Sequence, residues 1–471
     1  MEKQQNKIYL QPLKKIVMKK NFLLCLAFFG GFWILFWSFQ SKNVYFNTLG
    51  KISSNYVYLG DGDRGMEKKP YEVITNDNVL NWDGEHYYSI KEKGYVANED
   101  WRFAFFPLFP YIWKLTGLTP SYVMLLNFLM FVGGLLLLAF LFNQKWDKLI
   151  LVLALPMMVV FLIPYTEATF FLMFSIAVWG YMKDRYWLFC LGMILASVSR
   201  NTLLLIIPAI LCTEILFFIK ERKIKTSLYR IFLGCLPVLI GTATVSLIQY
   251  GSGSESLFSF IEVQKYWDHR LSLPNFGNLN DWSHESYGIN IPILFMIGFP
   301  LFFYLVAIAC KQFNIIKKDA PCFSFSSDNK SDYLTLFLLF CCFAAFCSVI
   351  LFQSGNLHGL SRYVLCSPYF VVLVLLNHQK IISHSLKKRI ITFVVLTLLS
   401  LIAFAIMKYT SAIRFHYIGY LIIVSIMALY LFSDFRQKRF YNICLFFTFL
   451  LNILWTTYLY NQLLCNGWNY A

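Results

Sequence analysis

The chain has 471 residues, 58% hydrophobic and 14% charged, against roughly 45–50% apolar and about 25% charged in soluble domains, which excludes a soluble multidomain enzyme. The 41 Lys and Arg against 25 Asp and Glu leave +16. In a soluble protein that excess suggests nucleic acid, but in a membrane protein it marks the cytoplasmic side.

About 20 apolar residues carry a helix across the hydrocarbon core. Stretches of that kind lie at 21–39, 120–142, 149–163, 165–182, 187–199, 202–219, 229–250, 290–310, 333–353, 361–377, 388–407, 414–432 and 440–461. They predict an all-α polytopic membrane protein with about 11–13 transmembrane helices. The run at 21–39 is too long for a signal peptide and lacks a small-residue cleavage site, so it reads as the first transmembrane helix. Segment 187–219 is too long for one span and carries Arg200 and Asn201 near its middle, so it reads as a hairpin turning at Ser199, Arg200 and Asn201.

Charge supports the hairpin. With two passes there, the inner segments hold 26 Lys and Arg against 8 acids, and the outer surface is near neutral. A single pass would place the basic stretches 220–230 and 385–389 outside, against the positive-inside rule. The resulting organisation is a basic cytoplasmic N-terminus (1–20), a first helix (21–39), a large extracytoplasmic loop (40–119), helices (120–250), a second outer loop (251–289) and further helices (290–471). Both loops are rich in aromatic residues, and the end of the first suggests helices lying at the interface. The 12 Cys sit mostly in apolar runs such as LFCCFAAFC (339–347) and read as small buried hydrophobes.

Trp82-Asp83-Gly84-Glu85-His86-Tyr87 is the densest outer cluster of acid, base and hydrogen-bonding groups. If Asp83 opens a helix, His86 lies one turn on and faces the same site. The aspartate could accept a hydroxyl proton as general base, or simply cap the helix. Arg102 precedes FAFFPLFP (103–110), whose prolines interrupt helix continuation. Its phenylalanines read either as membrane anchors or as a groove for a polyprenyl tail.

Glu167 and Arg200 stand at outer helix ends, as does Arg362, which His358 precedes. Charges at membrane depth either pair with one another, as Glu167 and Arg200 could, or bind a polar substrate. Guanidinium suits phosphate, because it offers several fixed donors and keeps its charge. Gln264, Tyr266, Trp267, Asp268, His269 and Arg270 in the second loop read either as sugar contacts or as an interface belt. No Walker motif, dinucleotide fingerprint, HExxH or cytoplasmic DxD run is present, which disfavours an ATP-driven pump and a nucleotide-sugar site.

These clusters, in this order, resemble the PIG-V class of GPI mannosyltransferases and its bacterial relatives, a branch of the GT-C polytopic glycosyltransferases. The resemblance rests on WDGEHYYSIKEKGY (82–95), FAFFPLFP (103–110), PYTEATFF (164–171), LASVSRN (195–201), VQKYW (263–267) and SRYVLCSP (361–368). It implies a GT-C-like fold and inverting transfer of a sugar, mannose in the named class, from a polyprenyl- or dolichyl-phosphate donor on the non-cytoplasmic face, with no nucleotide-sugar cofactor. No metal-ligating residues are singled out, and metal dependence stays open. Asp83 falls on the family's first-loop base. Arg200 falls on the arginine of a block whose usual Gly-containing end is here Thr202-Leu203.

The expected roles are therefore Asp83 as base and Arg200, Arg362 and Arg102 as holders of the donor phosphate. Trp82, His86, Glu167, Gln264, Trp267 and His358 would shape the site or contact substrate. The expected partners are membrane lipids, the lipid-linked donor, a glycan or glycolipid acceptor and a small membrane subunit, with no nucleic acid. The first block is nearer the bacterial branch, so the expected location is a bacterial cytoplasmic membrane rather than the endoplasmic reticulum. The rival reading is a transporter or flippase of lipid-linked sugars, which would spread its ionisable groups through the membrane depth.

Overall fold

The computed structural model describes residues 23, 26–38, 77–97, 99–267, 269, 271–272, 290–312, 315, 325–352, 357, 359–406 and 416–464. The basic start at 1–20, most of the first loop, residues 273–289, Asp268, Arg270 and His358 therefore lie outside the described residues. Within them every regular element is helical and there is no strand. The helices are α1 (Leu26–Ser38), α2 (Asp83–Lys93), α3 (Leu108–Thr116), α4 (Pro120–Leu141), α5 (Trp146–Leu153), α6 (Glu167–Met182), α7 (Tyr186–Ser199) and α8 (Leu203–Glu221). There follow α9 (Ile224–Gly251), α10 (Phe299–Gln312), α11 (Lys330–Phe352), α12 (Leu360–Leu365), α13 (Pro368–Ile382), α14 (Leu386–Ile406), α15 (His416–Leu431) and α16 (Lys438–Leu464). Among the described residues, six helices are long and apolar enough to cross a membrane.

The chain reverses at Arg200-Asn201-Thr202, as the hairpin requires. The end of α7 meets the start of α6, where Thr166 Oγ1 donates to the Ser199 carbonyl at 3.0 Å. The other end of α8 reaches the start of α11, where the Glu221 carboxylate accepts from the Ser327 amide at 3.0 Å. Small residues let these helices approach closely, as is common where lipid supplies no hydrophobic drive between helices. A Cβ on Gly192 of α7 would stand 2.5 Å from the Ala177 nitrogen and 2.7 Å from the Met173 carbonyl of α6.

Those neighbours are backbone, so Gly192→Ala must push α6 and α7 apart, at about 1–3 kcal/mol. Gly133→Ala, whose Cβ would meet only Leu172 Cδ1 at 3.9 Å, is the matched control. Thermal unfolding in one detergent should place Gly192→Ala well below wild type and Gly133→Ala beside it.

Two stretches read as single spans are broken. Segment 149–163 is α5, a turn at Ala154–Met157 and a 3-10 helix at Met158–Phe161. Segment 361–377 is α12 and α13, separated at Cys366-Ser367. Pro156 and Pro368 account for the breaks, since proline lacks the amide that continues a helix. At the second break Ser367 Oγ caps α13 by accepting from the Phe370 amide at 3.2 Å.

The FAFFPLFP stretch is not a span. A 3-10 turn at Asp100–Ala104 leads through Pro107 into the short α3. Phe103, Phe105 and Phe109 pack with Tyr87, Trp113 and Val263 in a small core of their own, and Phe106 is buried with Phe260. They are therefore core residues, neither membrane anchors nor the walls of an open lipid groove.

The bundle has two unlike ends. Lys145, Lys148, Lys220, Lys223, Lys330, Lys380, Arg389 and Lys438 gather at one, where ion pairs such as Lys380–Asp332 at 2.8 Å and Arg389–Asp434 at 2.6 Å tie helix ends together. At the opposite end lie α2, α3 and the starts of α6, α8 and α12.

Candidate functional site

Four helix ends converge at that second end, and each brings a charge. Asp83 is the first residue of α2. Trp82, not Asp83, stands at the cap, without a side-chain capping bond, so the aspartate is not spent on capping. Trp82 holds φ at 59°, a backbone region that costs a bulky residue about 1–3 kcal/mol. Glu167 opens α6, Arg200 follows α7, and Arg362 lies in α12.

The four side chains form one chain of ion pairs. Arg362 Nη2 donates to Asp83 Oδ2 at 2.7 Å and Arg362 Nε to Glu167 Oε1 at 2.5 Å. Arg200 Nη1 donates to the same Glu167 oxygen at 2.7 Å. The centre is dry and the ends are wet: Glu167 and Arg362 expose 2% and 9% of their side chains, Asp83 and Arg200 29% and 22%. Two acids and two guanidiniums cancel, which is how a membrane protein can hold four charges at this depth.

Aromatic faces and amides hold the chain in place. The Arg362 guanidinium lies 4.7 Å from the Tyr165 ring, and Tyr363 sits 5.0 Å from Arg200 and 5.7 Å from Arg362. Asn127 of α4 donates to the carbonyls of Ile163 at 2.5 Å and Tyr165 at 3.1 Å, fixing the approach to Glu167. Asn290 donates to the Leu357 carbonyl at 2.8 Å and accepts from the Ser361 amide at 2.9 Å, fixing the approach to Arg362.

Beside the arginines is a cavity of about 40 Å³, lined by Arg200, Asn201, Arg362, Tyr363, Ser367 and Tyr369 among others. It is room for about three water-sized groups. Asn201 Oδ1 and the Tyr369 hydroxyl are buried there without a partner among the described residues. Buried polar atoms left so call for a ligand or water. Among the described residues no three His, Cys, Asp or Glu side chains gather as a metal-binding group, and the Arg362 guanidinium occupies the space between the two carboxylates.

The other predicted residues divide. His86, one turn after Asp83, stacks on Phe105 at 4.6 Å and meets Trp267 edge-on at 5.2 Å, so α2 and the second loop do share a wall. Arg102 pairs with Glu99 and forms no ion pair with Asp83 or Glu167. Gln264 Oε1 accepts from His269 Nδ1 at 2.8 Å and Gln264 Nε2 donates to the Phe260 carbonyl at 3.0 Å, which engages it within its own loop. His358 lies outside the described residues.

Burial lowers the pKa of His86 below the usual histidine value, with Asp83 and Glu85 opposing. The folded state then binds fewer protons than the unfolded one as pH falls through about 6.5, so stability drops with pH in that window. Fluorimetric melting at pH 7.5 and 5.5 should show a smaller acid loss for His86→Phe, which keeps the stack on Phe105, than for wild type. An equal loss would deny His86 that role.

Tyr165, Tyr363, Tyr369, Asn127 and Asn290 were not singled out from the sequence. A signal existed for Asn127, a lone amide inside an apolar span, where an unpaired polar group is costly. The tyrosines carried none, because nothing local distinguishes a ring beneath a guanidinium from a ring facing lipid.

No protein family, curated protein or solved structure matches the chain. Fold and site together define a class: an all-helical multi-pass membrane protein with a neutral acid–guanidinium chain at the end opposite its basic loops.

Proposed function

We propose that the protein is a membrane-embedded glycosyltransferase of GT-C type that moves a sugar, mannose first among the candidates, from a polyprenyl-phosphate donor to a lipid or glycan acceptor. The observation that carries this reading is the direct Arg362 bridge between Asp83 and Glu167, with Arg200 beside the small cavity. A carboxylate with one exposed edge and two guanidiniums next to unfilled polar space suit an acceptor hydroxyl and a leaving phosphate.

In this mechanism the donor phosphate enters beside Arg200 and Arg362 and draws donors of Arg362 away from Asp83. The freed carboxylate accepts the acceptor's hydroxyl proton while that oxygen attacks the anomeric carbon. The bond from that carbon to the phosphate oxygen breaks, and the polyprenyl phosphate leaves with the electron pair, its charge met by both guanidiniums. Attack from the face opposite the phosphate inverts the anomeric centre. Glu167 keeps the two arginines from repelling one another and stays paired throughout.

Two residues need reassignment under this reading. Arg102, paired with Glu99, does not hold phosphate and instead stiffens the turn before α3. Gln264 supports the second loop, while Trp267 and His86 offer ring surfaces to a sugar. The orientation follows from the charge count, with the basic end towards the cytoplasm and the site facing away from it; the bacterial membrane rests on the likeness of the first block to the bacterial branch.

The test is acceptor-dependent release of polyprenyl phosphate by purified protein given polyprenyl-phosphate mannose and, separately, the glucose analogue. Release from at least one donor, requiring a membrane lipid extract, is expected. Intact protein that releases neither would overturn the proposal.

A further inference from the structure

A second cavity, larger than the one beside the arginines, lies elsewhere in the bundle. Its volume is about 220 Å³, and it is bounded by α5, α13, α15 and the π-helical turn Leu294–Gly298. That exceeds the roughly 150 Å³ of an apolar cavity able to stay dry and take up a small hydrocarbon. Leu151, Val152, Val374, Ile426 and Met427 are typical of its lining. Ile423 of its α15 wall is buried, but Ile426, Met427 and Tyr430, with Val374 of α13, are only half-buried, so on that side the space is open towards the helix surfaces that face lipid.

Towards the ion-pair chain the cavity is bounded by Leu365, and Leu360 and Val364 of the same short helix are buried beside it. Its other end is basic. Lys148 lines it, pairs with Asp147 at 2.6 Å and lies 5.9 Å from the Tyr441 ring, while Lys438 lies 5.7 Å from the same ring. Lys145 is close enough for its charge to bear on Lys148, and Lys145 and Lys438 are exposed. His378, buried against Tyr430 of the lining at 5.1 Å between ring centres, has an Nδ1 with no partner among the described residues.

We infer that this cavity is a binding site for an anionic phospholipid, one acyl chain within the apolar space and the phosphate at Lys145 and Lys438. Apolar volume open to lipid selects a chain. The converging amines select a negative headgroup, as basic residues near a membrane surface attract anionic lipid. The site lies at the opposite end from Asp83 and is separate from the proposed donor site.

The test uses the purified full chain and native mass spectrometry with added dioleoyl-phosphatidylglycerol or dioleoyl-phosphatidylcholine. Wild type is expected to retain the anionic lipid at least tenfold better. Lys145→Gln with Lys438→Gln should reduce that to the phosphatidylcholine level, and Val374→Trp should remove the bound anionic lipid by filling the space. If Val374→Trp does not fold, Ile426→Trp serves instead. Equal retention of the two lipids by wild type would overturn the inference. So would unchanged phosphatidylglycerol binding in the filled variants, or displacement of that lipid by equimolar polyprenyl phosphate, which would make the occupant the substrate's own tail.

Discussion

Asp83→Asn should lower sugar transfer by about a thousandfold, in the range that removal of a positioned general base costs, and leave the protein folded. The amide oxygen can still accept the bond that Arg362 Nη2 now gives to Asp83 Oδ2, so the ion-pair chain loses a charge and keeps its shape. What it loses is the ability to take a proton. Thermal unfolding within a few degrees of wild type, alongside lost turnover, is the expected pair of results. Wild-type turnover would remove Asp83 from the chemistry and leave it a partner of Arg362.

Arg362→Ala should be the most damaging single change to stability. Arg362 spends Nε on Glu167 and Nη2 on Asp83, and its loss leaves Glu167, 2% exposed, with Arg200 alone. Removing one partner of a buried pair costs about 3–5 kcal/mol because the remaining charge stays buried. Arg200 offsets part of that here, so about 3 kcal/mol is the expectation. Glu167→Gln in the same chain should recover part of the loss, a coupling that a double-mutant cycle measures. Additive losses would mean that the two residues act independently, against the geometry. Lysine at 362 should rescue poorly, since one ammonium cannot reproduce a fork aimed at two carboxylates.

Periodicity and charge made the bundle legible. Apolar runs predicted most helices, and the turn at Arg200-Asn201-Thr202 followed from polar residues in the middle of a run too long for one span. Where the reading failed, the punctuation was present: Pro156 and Ser367-Pro368 announced the breaks in 149–163 and 361–377. Hydropathy averaged over them because an interrupted helix packed in protein is as apolar as a span. The phenylalanines of 103–110 were misread for a related reason, since burial in a small core and burial in lipid favour the same side chains.

The site was legible as an inventory. Asp83, Glu167, Arg200 and Arg362 stood out because charges beside apolar runs are costly. Which of them touch was not legible. Arg362 meets a partner 279 residues away and another 195 away, and no local pattern encodes such pairing. The Glu167–Arg200 pair and the substrate-binding reading were posed as alternatives, whereas the geometry makes the pair one link of a longer chain with exposed ends. Arg102 shows the converse: a residue type suited to phosphate, near in sequence to Asp83, yet turned to Glu99.

The most direct measurement follows radiolabelled mannose from polyprenyl-phosphate mannose into an extract of membrane acceptors, with the product's anomeric configuration read by digestion with α- and β-mannosidase. A glucose donor is run in parallel, its product read with the corresponding glucosidases. The account predicts label in the acceptor from one of the two donors, in the configuration opposite to the donor's, and no label above background with Asp83→Asn. Folded wild-type protein that moves neither sugar, or one that moves it with retained configuration, would contradict it.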